Sequence, residues 1–225
     1  MKHPETIVEK TIVLALHPTK AFWIIPKQKV NIGIVGAAML DMCEINEIEI
    51  KNKLVCTKTE KSALTPGHDY FQQQIKKKPK VRKIKRWITT LARFPGRYRW
   101  FFLDEMARKG IISIDTHSFL FIPYKRIRLI NSSVKTDLVK HIQNLLSAEK
   151  IDQKDSALLS MVLALRLFKP FGKTFKERMA FKKLLKSKVE SNPISSGVDE
   201  AIREMQAAVA AATIAASAGA TAATS

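Results

Sequence analysis

The stretch IVGAAMLDM, residues Ile34–Met42, decides the fold. At helical spacing its apolar side chains fall on nearly every side of the axis, which predicts a buried helix rather than a surface one. A second stretch, ALLSMVLAL at Ala157–Leu165, has the same all-round apolar character. Two such helices can bury their surfaces only against each other and against neighbouring elements. We therefore expect them to cross in the middle of a helical bundle.

Amphipathic helices and two hairpins are expected to surround this centre, which makes the predicted fold class mainly α: a central helical bundle surrounded by amphipathic helices with two β-hairpins. The second hairpin is expected to turn at Asp115–His117. Asn46 and Gly110 are expected to end helices in the left-handed conformation. The predicted helices cover 69–77, 81–91, 97–109, 134–146 and 175–189, the hairpins 47–57 and 111–122, a short strand 21–25, a turn 65–67, and a helix end or strand 11–16.

Length and composition narrow the class of protein. The 225 residues, 46% apolar and 26% charged, argue against disorder and against a disulfide scaffold, and we expect one domain over 1–225. Two cysteines, Cys43 and Cys56, are too few for a disulfide framework or a cysteine-rich zinc site, so we expect reduced thiols in a cytoplasmic protein. The alanine-rich tail Val198–Ser225 is expected to be a core helix with a frayed end rather than a membrane span, because Ala is weakly apolar.

Positive charge is the unusual feature of the composition. The chain has 39 Lys and Arg against 20 Asp and Glu, a formal net charge of +19. The excess lies in two segments: Ile75–Gly110 has 13 basic and 2 acidic residues, and Arg166–Lys188 has 9 basic and 1 acidic. If folding brings the two segments together, one face of the protein carries a positive field that concentrates anions. If it does not, each segment is the solvated face of its own helix. The candidate partners are anionic lipid, nucleic acid and acidic protein.

Catalytic and metal-binding patterns are absent from the sequence. There is no Walker loop, no Gly-x-Ser-x-Gly elbow and no His-Glu-x-x-His pair, and Asp104 and Glu105 are adjacent helix residues that face apart. The five histidines are scattered, and we expect each to be a surface or turn residue. We therefore expect a protein that is not an enzyme, with no catalytic residue, cofactor or metal.

The sequence contains six motifs in this order: TIVLAL at 11–16, GAAMLDM at 36–42, FLDEMARKGII at 102–112, FLF at 119–121, ALLSMVLAL at 157–165 and DEAIREMQAAV at 199–209. Their order and spacing together resemble the Golgi phosphoprotein 3 family. The resemblance implies a mostly helical domain and a peripheral membrane protein. It also implies binding of phosphatidylinositol 4-phosphate in a basic pocket, and an adaptor role that retains glycosyltransferases in the Golgi. A long polar N-terminal extension typical of eukaryotic members is missing, so we expect a compact, prokaryotic-type member.

The resemblance also suggests which residues bind the headgroup. Family members use a Trp and an Arg near the first turn and the central helix, and two Arg three residues apart where the helix ending in Lys-Gly begins. Arg99 occupies one of these positions, and the other three fall on Pro26, Val35 and Gly96. Basic or aromatic residues nearby in sequence can take their place. The candidate headgroup residues are Arg99, Arg97, Arg93, Trp23 and Lys27.

An apolar hairpin segment provides a second expected contact. Phe119, Leu120 and Phe121 can enter a membrane interface, pair with a second copy of the chain, or pack on the protein's own core. The expected partners are therefore anionic lipid, phosphatidylinositol 4-phosphate in particular, a homo-oligomer through the hairpin, and a protein cargo. We expect the protein to lie in the cytoplasm, bound peripherally to a membrane. That membrane is expected to be the Golgi only if the source is a eukaryote.

Two alternatives stay open at this point. A helix at 97–109, then Gly110, then a hairpin resembles a winged-helix element, and the net charge suits a nucleic-acid backbone. The aromatic residues of that helix weigh against it, because they leave few polar groups to contact base edges. The second alternative is an adaptor for charged protein tails.

Overall fold

The computed structural model describes residues 3–58, 64–78, 80–93, 98–191 and 197–222. Within them the chain is mainly helical, with a three-stranded sheet in the order β1-β2-β3 and a separate two-stranded ribbon, so the predicted fold class is confirmed. The helices are α1 Ile7–Ala15, α2 Lys27–Glu44, α3 Pro66–Lys76, α4 Ile84–Arg93, α5 Tyr98–Arg108, α6 Ser133–Ser147, α7 Gln153–Leu165, α8 Phe175–Ser191 and α9 Gly197–Ala222. The strands are β1 Ile48–Lys51, β2 Leu54–Thr57, β3 Arg82–Lys83, β4 Ile112–Phe119 and β5 Ile122–Leu129, and a 3-10 turn covers Lys169–Phe171.

The two apolar helices meet in the core as predicted. α2 is buried continuously from Val30 to Cys43 and packs against α7. Glycines allow this close approach, because a Cβ on Gly33 would lie 2.7 Å from Leu165 Cδ1. One on Gly36 would lie 2.6 Å from Val209 Cγ2, which belongs to α9. The centre of the described structure therefore contains α9 and the largely buried α1 as well as α2 and α7.

The alanine-rich tail forms one helix of this bundle. Met205 and Val209 of α9 are fully buried, and Ala208 and Ala212 are nearly so. Small side chains at these positions let the helix axes approach closely, which is why a weakly apolar sequence can occupy the core. The helix continues to Ala222, so the end expected to fray is helical up to that residue. Among the described helices, none combines the length and the hydropathy that crossing a bilayer requires.

Asp41 of α2 fixes the start of α1. Its carboxylate accepts hydrogen bonds from the backbone N–H groups of Ile7, at 2.7 Å, and Val8, at 3.0 Å. His68 Nε2 lies 3.4 Å from Asp41 Oδ2, and His68 Nδ1 lies 2.8 Å from Thr65 Oγ1. His68 has no exposed surface, so the expectation that every histidine lies at the surface or in a turn is wrong. This histidine belongs to a buried polar network.

Lys135 of α6 binds the opposite end of α1. Its ammonium group donates hydrogen bonds to the backbone oxygens of Leu14, at 2.8 Å, and Leu16. These carbonyls have no acceptor role inside α1, so the lysine satisfies groups that a helix end leaves open. Lys135 is buried, and burial lowers its pKa to about 8.

The second hairpin turns later than predicted. β4 and β5 pair from Ile112–Leu129 to Phe119–Ile122, and the turn residues Leu120 and Phe121 both have positive φ. Asp115, placed in the turn by the sequence, instead pairs across the ribbon with Arg126. Most residues of this ribbon are exposed, so polar side chains within its strands cost little free energy. For this reason the polar run Asp115–His117 lies inside β4 and does not mark the end of the strand.

Other boundaries differ from the predictions for local reasons. Residues 21–25 form only a single bridge, between Leu16 and Trp23, instead of a strand. Pro66 begins α3 rather than a turn, because its fixed φ suits the first helical position. Residues 11–15 end α1, which confirms the helix-end alternative for the run 11–16, and β3 was not predicted. The first hairpin, the four remaining predicted helices and the left-handed Asn46 (φ 58°) and Gly110 (φ 72°) are confirmed.

Candidate functional site

Arg99 is a buried cation in the first turn of α5. Its side chain is 8% exposed, and Nη1 donates a hydrogen bond to Asn31 Oδ1 of α2 at 3.2 Å. Its Nε has no hydrogen-bond partner, and no carboxylate within the described ranges forms an ion pair with it. Burial lowers the pKa of Arg99. A buried charge with so little compensation is costly, and an incoming anion would offset that cost.

Aromatic packing holds Arg99 in this position. The neighbouring Tyr98 is fully buried, with its ring 4.9 Å from the ring of Phe71 in α3. Trp100 follows, and the Arg99 guanidinium carbon lies 5.6 Å from the centre of its ring. Tyr98 therefore packs the first turn of α5 against α3, while Trp100 contacts the Arg99 guanidinium itself. As a result, the guanidinium is aimed at the beginning of α2.

The start of α2 adds further positive charge. Lys27 is the first residue of the helix and lies four residues before Asn31, so both are on the side of α2 that meets Arg99. The first turn contains no acidic residue, and Pro26 at the N-cap provides no side-chain acceptor for the free N–H groups. The helix dipole contributes about half a positive charge at this end. The charge of Lys27, the free backbone N–H groups and the helix dipole therefore all favour a negatively charged group at this position.

Lys29 points to the opposite side of the same turn. Burial and then the charge of Arg166, the residue that ends α7, lower the pKa of Lys29. Gly33, one turn further along that side, packs against Leu165. The two basic sequence segments therefore approach the same end of α2 from its two sides, Arg99 from one and Arg166 from the other.

The remaining predicted headgroup residues have different placements. Arg93 is the exposed last residue of α4, and Arg97 lies outside the described residues. Trp23 is half-buried and packs against the core next to its bridge with Leu16. Helical spacing thus puts Lys27 on the same face of α2 as Asn31, the residue that Arg99 contacts. It shows no direct contact of Arg93 or Trp23 with Arg99 among the described residues.

The apolar hairpin tip is connected to Arg99 through Trp100. Lys125 Nζ lies 4.5 Å from the centre of the Trp100 ring, so this tryptophan contacts both Arg99 and the ribbon. The turn residue Phe121 lies four residues before Lys125 in the sequence, which is about 13 Å along the strand. Phe121 is 100% exposed and Leu120 is 74% exposed. Phe119 ends β4, and its side chain lies outside the described part of the chain.

Three residues of this site were missed from the sequence. Asn31 was detectable, since it is the one polar residue in the run VNIGIV, and a buried amide needs a partner. Arg166 could not be assigned, because nothing local distinguishes it from the other basic residues of its segment. Trp100 was read as one of several helix aromatics. Across the described ranges no three His, Cys, Asp or Glu side chains come together as a metal site would need.

Comparisons with known proteins agree with the fold. The family model described as Golgi phosphoprotein 3 (GPP34) matches residues 7–205, which is most of the chain. A search of curated proteins returned no match. The matched range includes α1 to α8 and the first nine residues of α9, and with them Arg99, Asn31 and the hairpin. The chain therefore belongs to the Golgi phosphoprotein 3 family.

Proposed function

We propose that the protein is a peripheral membrane protein that binds anionic lipid headgroups through the basic face at the start of α2. The observation that carries this proposal is Arg99, a buried guanidinium with an unpartnered Nε and no carboxylate partner among the described residues. Family membership supports a Golgi-phosphoprotein-type role in general terms. Phosphatidylinositol 4-phosphate is the specific ligand that we propose, because a phosphate monoester accepts the charge-assisted hydrogen bonds a guanidinium offers.

In this proposal several elements share the headgroup. Arg99 holds a phosphate oxygen, and the start of α2 with Lys27 faces the same anion. Arg93 and Arg97 add charge around the site, and Trp23 supports it from the neighbouring bridge. Each basic residue near an acidic surface contributes about 1 kcal/mol to adsorption. The combined field attracts anionic lipid, while the geometry around Arg99 selects among headgroups.

The hairpin tip supplies apolar contact in the same proposal. Leu120 and Phe121, with Phe119 before them, enter the membrane interface, where exposed apolar side chains are favoured. The same tip is also the surface for pairing with a second copy. We further propose an adaptor role with a protein cargo and no enzymatic activity. The expected location is the cytoplasmic face of a membrane, which is the Golgi in a eukaryotic cell.

Nucleic-acid binding is the second candidate, and the exposed face of α5 makes it weaker. A recognition helix must present polar donors to base edges. Here Arg99 is buried against Asn31, whereas Phe101 and Asp104 are exposed. The exposed aromatic ring offers no hydrogen-bond donor to a base edge, whereas such a ring is favoured at a membrane interface.

Replacing Arg99 with Gln tests the site. We expect Arg99→Gln to weaken binding to vesicles containing phosphatidylinositol 4-phosphate about tenfold, because a charge-assisted hydrogen bond is lost. Arg108→Gln is the matched control, since Arg108 is an exposed residue of the same helix and loses the same charge. Vesicle co-sedimentation measures both, with thermal unfolding to check that each variant is folded. Equal affinity in the two folded variants would remove Arg99 from the site.

A further inference from the structure

A groove among α7, α8 and α9 has an apolar floor and a cationic rim. Its volume is about 320 Å³, which is at the lower end of the range of small-ligand sites. Leu163, Phe168 and Ile214 contribute to the floor. Arg166, Lys182 and Lys186 form the rim. The groove therefore places apolar and cationic surfaces side by side.

The rim carries little internal charge compensation. Lys186 Nζ lies 3.6 Å from a carboxylate oxygen of Glu190, and both side chains are exposed, so this pair contributes little. No ion pair joins Arg166 or Lys182 to an acidic residue in the part of the chain the structure describes. The segment Arg166–Lys188 has 9 basic residues and 1 acidic residue. Glu190 also lines the groove, so three cations and one carboxylate leave a net positive charge there that attracts an anion.

The same face of α8 continues beyond the groove as an apolar surface. Phe175 and Met179 precede Lys182 and Lys186 at helical spacing, so the four residues form one stripe. Phe175 is 78% exposed, which is unusual for a large aromatic side chain. The core-facing side of α8 is a different one, occupied by Phe181 and Leu185. The stripe is thus an apolar and basic surface with no covering element among the described residues.

The groove lies next to the proposed headgroup site. Arg166 acts on Lys29 from the α7 side of α2, while Arg99 approaches Asn31 from the α5 side. Lys29 and Asn31 are two residues apart, about 200° around the helix and about 3 Å along it. Arg99 contacts Asn31, and Arg166 follows Leu165, which packs against Gly33, so the two cations approach the first two turns of α2 from different sides.

We propose that this groove binds a second anionic phospholipid, with its phosphate at Arg166, Lys182 and Lys186 and its apolar part against the groove floor. This inference rests on the proposed function and makes the membrane contact bivalent. A phospholipid fits because it carries a phosphate directly beside apolar groups, which matches the order of rim, floor and exposed Phe175. An acidic peptide would satisfy the rim and leave the floor and Phe175 in water. Two linked contacts on one membrane also raise the overall affinity above that of either contact alone.

Matched charge variants test the rim. The triple variant Arg166→Gln, Lys182→Gln, Lys186→Gln and the control Lys51→Gln, Lys140→Gln, Lys150→Gln lose the same charge, and the control residues are exposed ones outside the groove. Co-sedimentation uses phosphatidylcholine vesicles with and without phosphatidylglycerol. We expect the groove variant to bind the acidic vesicles about a hundredfold more weakly at low salt, and the control within about threefold of wild type.

Tryptophan substitutions test whether this part of α8 meets lipid. Phe175→Trp lies on the stripe, whereas Leu184→Trp is an exposed position on the other side of the same helix. With brominated phosphatidylglycerol, we expect Phe175→Trp to show additional fluorescence quenching over wild type and Leu184→Trp to show none.

The outcomes separate this inference from the proposed function. If Arg99→Gln weakens vesicle binding while the groove variant matches its control, the groove inference is overturned and the headgroup site stands. Equal quenching at positions 175 and 184 would also overturn it. If wild-type protein ignores acidic vesicles but binds polyglutamate through the groove residues, the occupant is an acidic peptide, and both proposals are overturned.

Discussion

Replacing Asp41 with Asn is expected to lower the free energy of unfolding by about 3 kcal/mol or more. The Asp41 carboxylate is 2% exposed and accepts two backbone hydrogen bonds from the first turn of α1. An Asn side chain has one acceptor oxygen, so it would place an NH₂ group against a backbone donor or against His68. One buried donor would then be left without a partner. The hydrogen bonds lost in this variant are those that join the start of α1 to α2, at the edge of the central bundle.

Urea unfolding measures this effect directly. Asp137→Asn is the control, because Asp137 is an exposed residue of α6 and undergoes the same chemical change. We expect the control to differ from wild type by less than about 0.5 kcal/mol. An Asp41→Asn variant as stable as the control would show that the carboxylate is not needed to fix α1.

The stability of the wild-type protein is expected to rise relative to Lys135→Met as the pH increases from about 8 to about 10.5. Lys135 has an ordinary pKa of 10.5 when exposed and a pKa of about 8 in the folded protein, because burial disfavours its charge. Between these values the unfolded chain holds a proton that the folded protein has released. Stability rises with pH wherever the unfolded state binds more protons. The expected gain is about 2 kcal/mol by pH 9.5 and about 3 kcal/mol by pH 10.5.

Subtracting the Lys135→Met curve isolates this residue from other titrating groups. Both proteins are unfolded with urea at a series of pH values, and the difference in unfolding free energy is plotted against pH. We expect this difference to be flat below about pH 7.5 and to change in favour of wild type above it. A difference that stays flat up to pH 10.5 would mean that Lys135 keeps its ordinary pKa in the folded protein.

The central helices were predictable because their sequences leave few alternatives. An apolar run that covers all sides of a helix, such as the stretch around Ala38, can only be buried. α9 was harder, since its alanines are weakly apolar. Its central place depends on Gly36 of α2, which lies opposite Val209 and admits a neighbouring backbone. Because that contact joins residues far apart in sequence, no local sequence pattern predicts it.

The hairpin turn and the buried polar groups were missed for different reasons. The run Asp115–His117 looks like a turn, but an exposed ribbon tolerates polar residues along its strands. His68 was expected at the surface because its partner, Asp41, is remote in sequence. Lys135 carried a readable signal, since it falls on the same helical stripe as Leu138 and Ile142. A lysine in an apolar stripe indicates either an error in the helix assignment or a buried cation with acceptors.

The candidate site was only partly predictable from the sequence. Arg99 followed from the family resemblance, and the excess charge of its segment pointed in the same direction. Its contact with Asn31 and the approach of Arg166 to Lys29 depend on how three helices pack around the start of α2. Charge arithmetic identifies the basic segments, and only the fold determines which of their residues face one another.

Co-sedimentation of the wild-type protein with vesicles tests the central claim most directly. Three vesicle types are compared: phosphatidylcholine alone, phosphatidylcholine with phosphatidylglycerol, and phosphatidylcholine with phosphatidylinositol 4-phosphate, each with and without duplex DNA at physiological salt. We expect the protein to pellet with both acidic vesicles, most strongly with the phosphoinositide, and to stay in the supernatant with phosphatidylcholine. Absence of pelleting with either acidic vesicle, or complete displacement by DNA, would contradict a role in membrane binding.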